Sequence, residues 1–163
     1  MMSELWQTER VIGHSRLLVE SYRRLLGREL LPDLPVGLDG AARSQALSRA
    51  LFEAPFCVVS HGTQANPILT YGNRYALDLW ELDWETWLRT PSRQTAEPDR
   101  REERDRLLAA VRDRGYVEGY SGIRVSATGR RFVIENVTVW NLTDPHGQPC
   151  GQAATYANYR RLD

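Results

Sequence analysis

The side chains that could do chemistry in this chain are scattered. His14, His61 and His146 fall in three separate stretches, and Cys57 and Cys150 lack CxxC spacing. No His/Cys/Asp group has metal-ligand spacing, so no metal is expected. Ser60-His61 invites a nucleophile–base reading. Neighbours in an extended chain point to opposite faces, so the pair cannot act together without a turn. No third triad member stands out, and catalysis is not expected. The alternative is a small α+β enzyme using His61 and Glu135 as acid and base. All 21 basic residues are arginine. The absence of lysine excludes Schiff-base chemistry and a Walker-type phosphate loop.

Binding chemistry is better represented. Glu135, Asn136, Thr138 and Asn141 are polar residues in a run that reads as a covered strand. Buried polar groups need partners, so these meet water at one end or serve a polar cavity with Arg93 and Thr95. Arg93 has a planar fork that can hold a carboxylate or phosphate at two points; its other options are to bond loop carbonyls or to pair with Glu97. Trp80, Trp84, Trp87, Trp140, Tyr71, Tyr120 and Tyr156 can line a pocket for a planar ligand or simply fill a core. His61 ends a strand-like run beside Gly62, where its ring can face a cavity or bond the turn. Asn73 is suited to cap a following helix and to border the same cavity. The expected ligand wall is His61, Tyr71, Asn73, Trp80, Arg93, Thr95, Glu135, Asn136, Trp140 and Tyr156.

The elements that must position these residues are legible. Leu5, Ile12, Val19, Tyr22 and Leu26 recur near helical spacing until Gly27 stops the run. A Pro/Gly-rich connector follows, then a second helix over 41–53, halted by Pro55. Residues 54–60 and 68–71 are short strand-like runs. Helices are expected from Arg74 and from the Asp83 N-cap. After a polar loop over 90–96, a long helix is expected with Pro98 and Asp99 in its first turn and Gly115 closing it. Residues 116–126, 131–142 and 150–159 are three longer strands joined by Gly- and Pro-containing turns. Such short turns join antiparallel neighbours. Phe132, Ile134, Trp140 and Leu142 are expected on one face of the middle strand, with Val133, Val137 and Val139 on the other. Both faces must therefore be covered, one by the middle helices and one by the N-terminal helix or a second subunit.

With 163 residues, 42% hydrophobic and 26% charged, the chain can bury a sizeable core. Its 21 acidic residues balance the 21 basic ones, which leaves no charge surplus for nucleic acid or an anionic membrane. No apolar run reaches a membrane span and no secretory signal is recognisable, so a cytoplasmic protein with reduced thiols is expected.

Two strands, a helical middle and three strands outline a PAS-like α+β domain. The order expected is second–first–fifth–fourth–third strand, with helices on one face. His61-Gly62-Thr63-Gln64-Ala65-Asn66-Pro67, Ala76-Leu77-Asp78-Leu79-Trp80, Pro91-Ser92-Arg93, Tyr120-Ser121-Gly122-Ile123-Arg124 and Gly151-Gln152-Ala153-Ala154-Thr155 resemble the MEKHLA family. The resemblance implies a PAS-like domain over 41–163, preceded by an amphipathic helix and connector over 1–40. It further implies a sensory or regulatory role, with no established ligand. A small organic ligand held non-covalently is expected, or a protein partner, with homodimerisation through the N-terminal helix. A pure oligomerisation module is a further alternative. Cofactor chemistry of the light-sensing PAS kind needs a cysteine before the long helix, and a haem PAS domain needs a histidine on or near it. Residues 92–115 contain neither, so the cofactor stays unassigned.

Overall fold

The computed structural model describes residues 2–97 and 100–162; Pro98 and Asp99, expected in the first turn of the long helix, lie outside the described residues. Helix α1 (Glu9–Leu26) starts where the Thr8 hydroxyl accepts the Val11 N–H. It ends at Gly27, whose φ of 70° lets its N–H reach the Arg23 carbonyl. Helix α2 (Gly40–Phe52) leads into strands β1 (Cys57–His61) and β2 (Leu69–Gly72). Short helices α3 (Arg74–Trp80) and α4 (Trp84–Trp87), a 3-10 turn (Ser92–Thr95) and helix α5 (Arg101–Arg114) form the middle. Strands β3 (Tyr116–Val125), β4 (Arg131–Thr143), β5 (Pro149–Tyr156) and β6 (Asn158–Arg161) complete the chain.

The sheet is antiparallel, in the order β2-β1-β5-β4-β3, with β6 also paired to β4. The order is the one expected, but there are six strands, not five. The sixth is a continuation of the fifth. Thr138 faces Thr155 and Glu135 faces Asn158 in one unbroken register, so β6 resumes β5 beyond Ala157.

The interruption has a cause on β4. Asn136 takes a φ of 53°, a left-handed conformation that asparagine tolerates better than most residues. Against β3 it acts as a bulge, with Tyr120 opposite Val137 and Gly122 opposite Ile134, and beyond it the strand's side chains exchange faces. Phe132 and Ile134 face α3 and the middle helices, and Val137 and Val139 take over that face after Asn136. Trp140 is turned to the opposite face, where its ring meets Tyr22 of α1 edge-on at 4.9 Å. Simple alternation therefore misplaces Trp140, Leu142, Val137 and Val139.

Helix α1 covers that outer face. Leu18, Val19 and Tyr22 are buried, His14 Nε2 meets the Ser60 hydroxyl at 2.8 Å, and Arg24 donates to Thr143 at 2.9 Å. None of the apolar side chains of α1 is fully exposed, though Ile12, Leu17, Leu25 and Leu26 are half-buried. Because Trp140 is fully buried beneath α1, Trp140→Ala should cost about 3–5 kcal/mol in urea unfolding. An unchanged midpoint would contradict this packing.

Candidate functional site

Between the inner sheet face and the middle helices lies a cavity of about 60 Å³. Its floor is His61 of β1 with Ile134, Val137, Val139 and Tyr156 of the central strands; its roof is Trp80, Trp87, Ser92, Thr95, Arg104, Leu107 and Leu108. Tyr120 and Arg124 of β3 close one side.

The roof is pinned locally. Asn73 caps α3 by accepting the Ala76 N–H, accepts the Val58 N–H as well, and donates to the Leu51 and Phe56 carbonyls. The 3-10 turn is held by the Ser92 N–H on the Pro67 carbonyl at 2.8 Å and by the Thr95 hydroxyl on the Ser92 carbonyl at 2.7 Å. These bonds set Ser92 opposite α5, where Arg104 donates to its hydroxyl.

Of the ten expected wall residues, His61, Trp80, Thr95 and Tyr156 reach the cavity. Asn73 is fully buried, but as the hub of the β1–α3 junction, and it does not line the cavity. Tyr71 lies on the α1 side, its ring 5.8 Å from His14 and 6.0 Å from Trp84. Trp140 is on that side too, because of the bulge. Asn136 spends its unusual backbone on the bulge, and its side chain is exposed. Glu135 pairs with Arg160 of β6 at 3.9 Å, away from the cavity wall. Arg93 is half in water, 3.7 Å from Asp105, not paired with Glu97; Glu97 instead takes a two-point contact from Arg131 at 2.7 and 3.0 Å.

The charged wall residues are Arg104 and Arg124, which sequence reading passed over. A signal existed for each. Arg104 shares helical spacing with Leu107, Leu108 and Val111, so it sits in the buried stripe of α5. Arg124 alternates with Gly122 and Tyr120, so all three share one face of β3. Gly122 leaves room for both: a Cβ there would lie 2.5 Å from the Tyr120 hydroxyl and 2.8 Å from the Arg124 guanidinium, so those side chains would have to shift.

Burial dominates the electrostatics. His61 Nδ1 donates to the Gly62 carbonyl at 2.9 Å, leaving Nε2 as a buried acceptor without a partner. Desolvation, opposed by that bond and reinforced by the Arg104 charge, lowers its pKa to about 4. Arg104 is lowered to about 10, by burial first and then by Arg124. Burial pushes the Cys57 thiol up to about 12. Among the described residues no three His, Cys, Asp or Glu side chains gather as a metal site, and no helix is long and apolar enough to cross a membrane.

The chain is similar in structure to a PAS domain from Colwellia psychrerythraea, with a TM-score of 0.59 and 17% identity over 71% of this chain and 92% of that one. It is similar to a light-oxygen-voltage protein of Rhodobacter sphaeroides, with a TM-score of 0.55 and 12% identity over 70% and 64%. An RNA-binding light-oxygen-voltage receptor matches with a TM-score of 0.59 and 18% identity over 79% of this chain and 35% of that one. No curated protein matches. At these identities the likeness concerns the fold. The sequence itself matches the MEKHLA domain across residues 12–161, a span that begins inside α1 and ends at the last residue of β6. On that match, the chain belongs to the MEKHLA domain family.

Proposed function

We propose that the chain is a PAS-type sensory or regulatory domain that binds a small organic ligand non-covalently in this cavity. The observation that carries the reading is a cavity wall with buried polar groups left without partners, His61 Nε2 above all. Buried polar groups are normally paired, and a ligand is what would pair these.

The wall does not fit a flavin that forms a thiol adduct. Pockets for ligands of that size run to about 300–1,000 Å³, against about 60 Å³ here. The two cysteines lie in β1 and β5, not in the segment between α4 and α5. Balanced charge gives no support to an RNA partner. Catalysis by His61 and Glu135 is disfavoured because Glu135 is engaged with Arg160 away from the wall. A histidine held near pKa 4 is also a weak base at neutral pH.

Native mass spectrometry and ligand-dependent melting of the purified chain test the reading. The expected result is a retained small molecule, or a rise in melting temperature with a small acid, amide or alcohol, and no turnover. Turnover of an ester or hydroxy acid that disappears in both His61→Ala and Glu135→Gln would overturn it in favour of an enzyme.

A further inference from the structure

The cavity wall is lopsided in hydrogen-bonding capacity. Among the described residues two guanidinium groups line it and no carboxylate does. Arg104 is only 5% exposed and spends one N–H on the Ser92 hydroxyl. Its nearest recorded carboxylate is Asp105, 3.9 Å away on the solvent side and shared with Arg93. Arg124, 8% exposed, stacks over the Tyr120 ring and donates to the Ile123 carbonyl at 3.0 Å and the Tyr120 hydroxyl at 3.5 Å. A guanidinium has five N–H donors, so both retain several to give.

Two buried like charges that share only one distant, half-exposed carboxylate are costly, and a bound anion reduces that cost. The Trp87 N–H and the Tyr156 hydroxyl, beside the Cys57 thiol, are also buried without a geometrically adequate partner. The wall also presents one orphan acceptor, His61 Nε2. The ligand that completes such a wall brings several acceptors, a negative charge and one donor. The volume limits its size. A cavity of about 60 Å³ admits only a compact ligand of a few non-hydrogen atoms.

We infer that the cavity takes a short hydroxy-monocarboxylate of about two or three carbons, its carboxylate between Arg104 and Arg124 and its hydroxyl donating to His61 Nε2. This rests on the reading above that the cavity is a ligand site. Entry is past β3: Tyr120 and Arg124 also border a surface hollow lined by Arg100, Glu103 and Ser121, so this stacked pair is the partition between the cavity and water.

Titration calorimetry at pH 7 with glycolate, acetate, the neutral amide glycolamide and nitrate tests the inference. Glycolate should bind at least about tenfold more tightly than glycolamide, because the charge-assisted bonds are lost in the amide. Arg104→Gln and Arg124→Gln should each weaken glycolate by about 10- to 100-fold. Arg104→Lys should recover only part of the loss, since an ammonium lacks the fork. In His61→Phe the preference for glycolate over acetate should vanish while acetate still binds. Melting curves establish that each variant is folded, and Arg124→Gln reads the same claim should the Arg104 variants unfold. Equal binding of glycolate and glycolamide would overturn the acid assignment and leave the ligand site standing. Nitrate binding as tightly as glycolate would reduce the site to an inorganic anion site and overturn the hydroxy-acid assignment. No heat and no melting shift with any of the four compounds would overturn this inference, while binding of an unrelated neutral molecule in the same cavity would preserve the broader reading.

Discussion

Asn73→Ala should destabilise the protein by about 3–5 kcal/mol, far more than the loss of an ordinary helix cap. An N-cap asparagine satisfies one or two backbone donors at a helix start, and replacing it costs about 0.5–2 kcal/mol. Asn73 does more. Its carbonyl oxygen accepts from the Ala76 and Val58 N–H groups, both at 3.2 Å. Its amide donates to Phe56 at 2.8 Å and to Leu51 at 3.1 Å. One fully buried side chain thus ties the end of α2, the start of β1 and the start of α3. Alanine would strand the Ala76 and Val58 N–H groups and the Phe56 carbonyl, since the Leu51 carbonyl also accepts from the Ala54 N–H, at about 1–3 kcal/mol each before relaxation. Asn73→Asp keeps two acceptor contacts but aims a carboxylate at two carbonyls, so it should fare little better. Urea unfolding measures this directly. A loss below about 1 kcal/mol would reduce Asn73 to a surface-like cap.

Acid should destabilise the protein well before its carboxylates titrate. His61 and His14 both have folded-state pKa values lowered from 6.5 to about 4. For His61 burial leads, opposed by the Gly62 bond and assisted by Arg104; for His14 burial leads, assisted by Arg10. In the unfolded chain both recover ordinary values. Below pH 6.5 the unfolded state therefore binds more protons than the folded one, and stability falls with pH. The contribution is complete above about pH 6.5 and lost as pH falls through about 4. Between pH 6.5 and 5 the loss from His61 should be about 2 kcal/mol, with a smaller share from the half-buried His14. Glu81, Asp83 and Glu97, lowered by hydrogen bonds to Thr128, the Thr86 N–H and Arg131 respectively, lose their contributions only further into acid. The upper part of the acid limb thus belongs to the histidines. Denaturant titrations at several pH values should show the limb, and His61→Phe should flatten it by more than half. A stability profile level from pH 7 to 5 would contradict the burial of both rings.

The strand order and helix positions were legible because their signals are local: periodicity, capping residues, and turns too short for a parallel crossover. The face assignment of β4 was not. Alternation assumes an unbroken strand, and nothing in the letters Glu135-Asn136-Val137 announces that Asn136 adopts a positive φ. That single backbone choice moved Trp140 from the expected cavity to the α1 interface. The site was half legible. His61, Trp80, Thr95 and Tyr156 lie on the wall because strand parity and helix phase place them there. Arg93 drew attention as a charged residue in a polar loop, yet exposure is what a charged loop residue ordinarily finds. Arg104 was the informative arginine. It occupies an apolar phase of α5 beside Leu107 and Leu108, and a charge in a buried stripe needs a reason that a charge in a loop does not.

The central claim is that the cavity is a site for a small anionic ligand, and a crystal structure of the full chain grown with glycolate tests it most directly. The account predicts density for the acid between the Arg104 and Arg124 guanidiniums, with its hydroxyl within hydrogen-bond distance of His61 Nε2. Water alone in the cavity, with Arg104 and Arg124 keeping only their contacts to Ser92, Ile123 and Tyr120 while glycolate binds elsewhere or not at all, would contradict it.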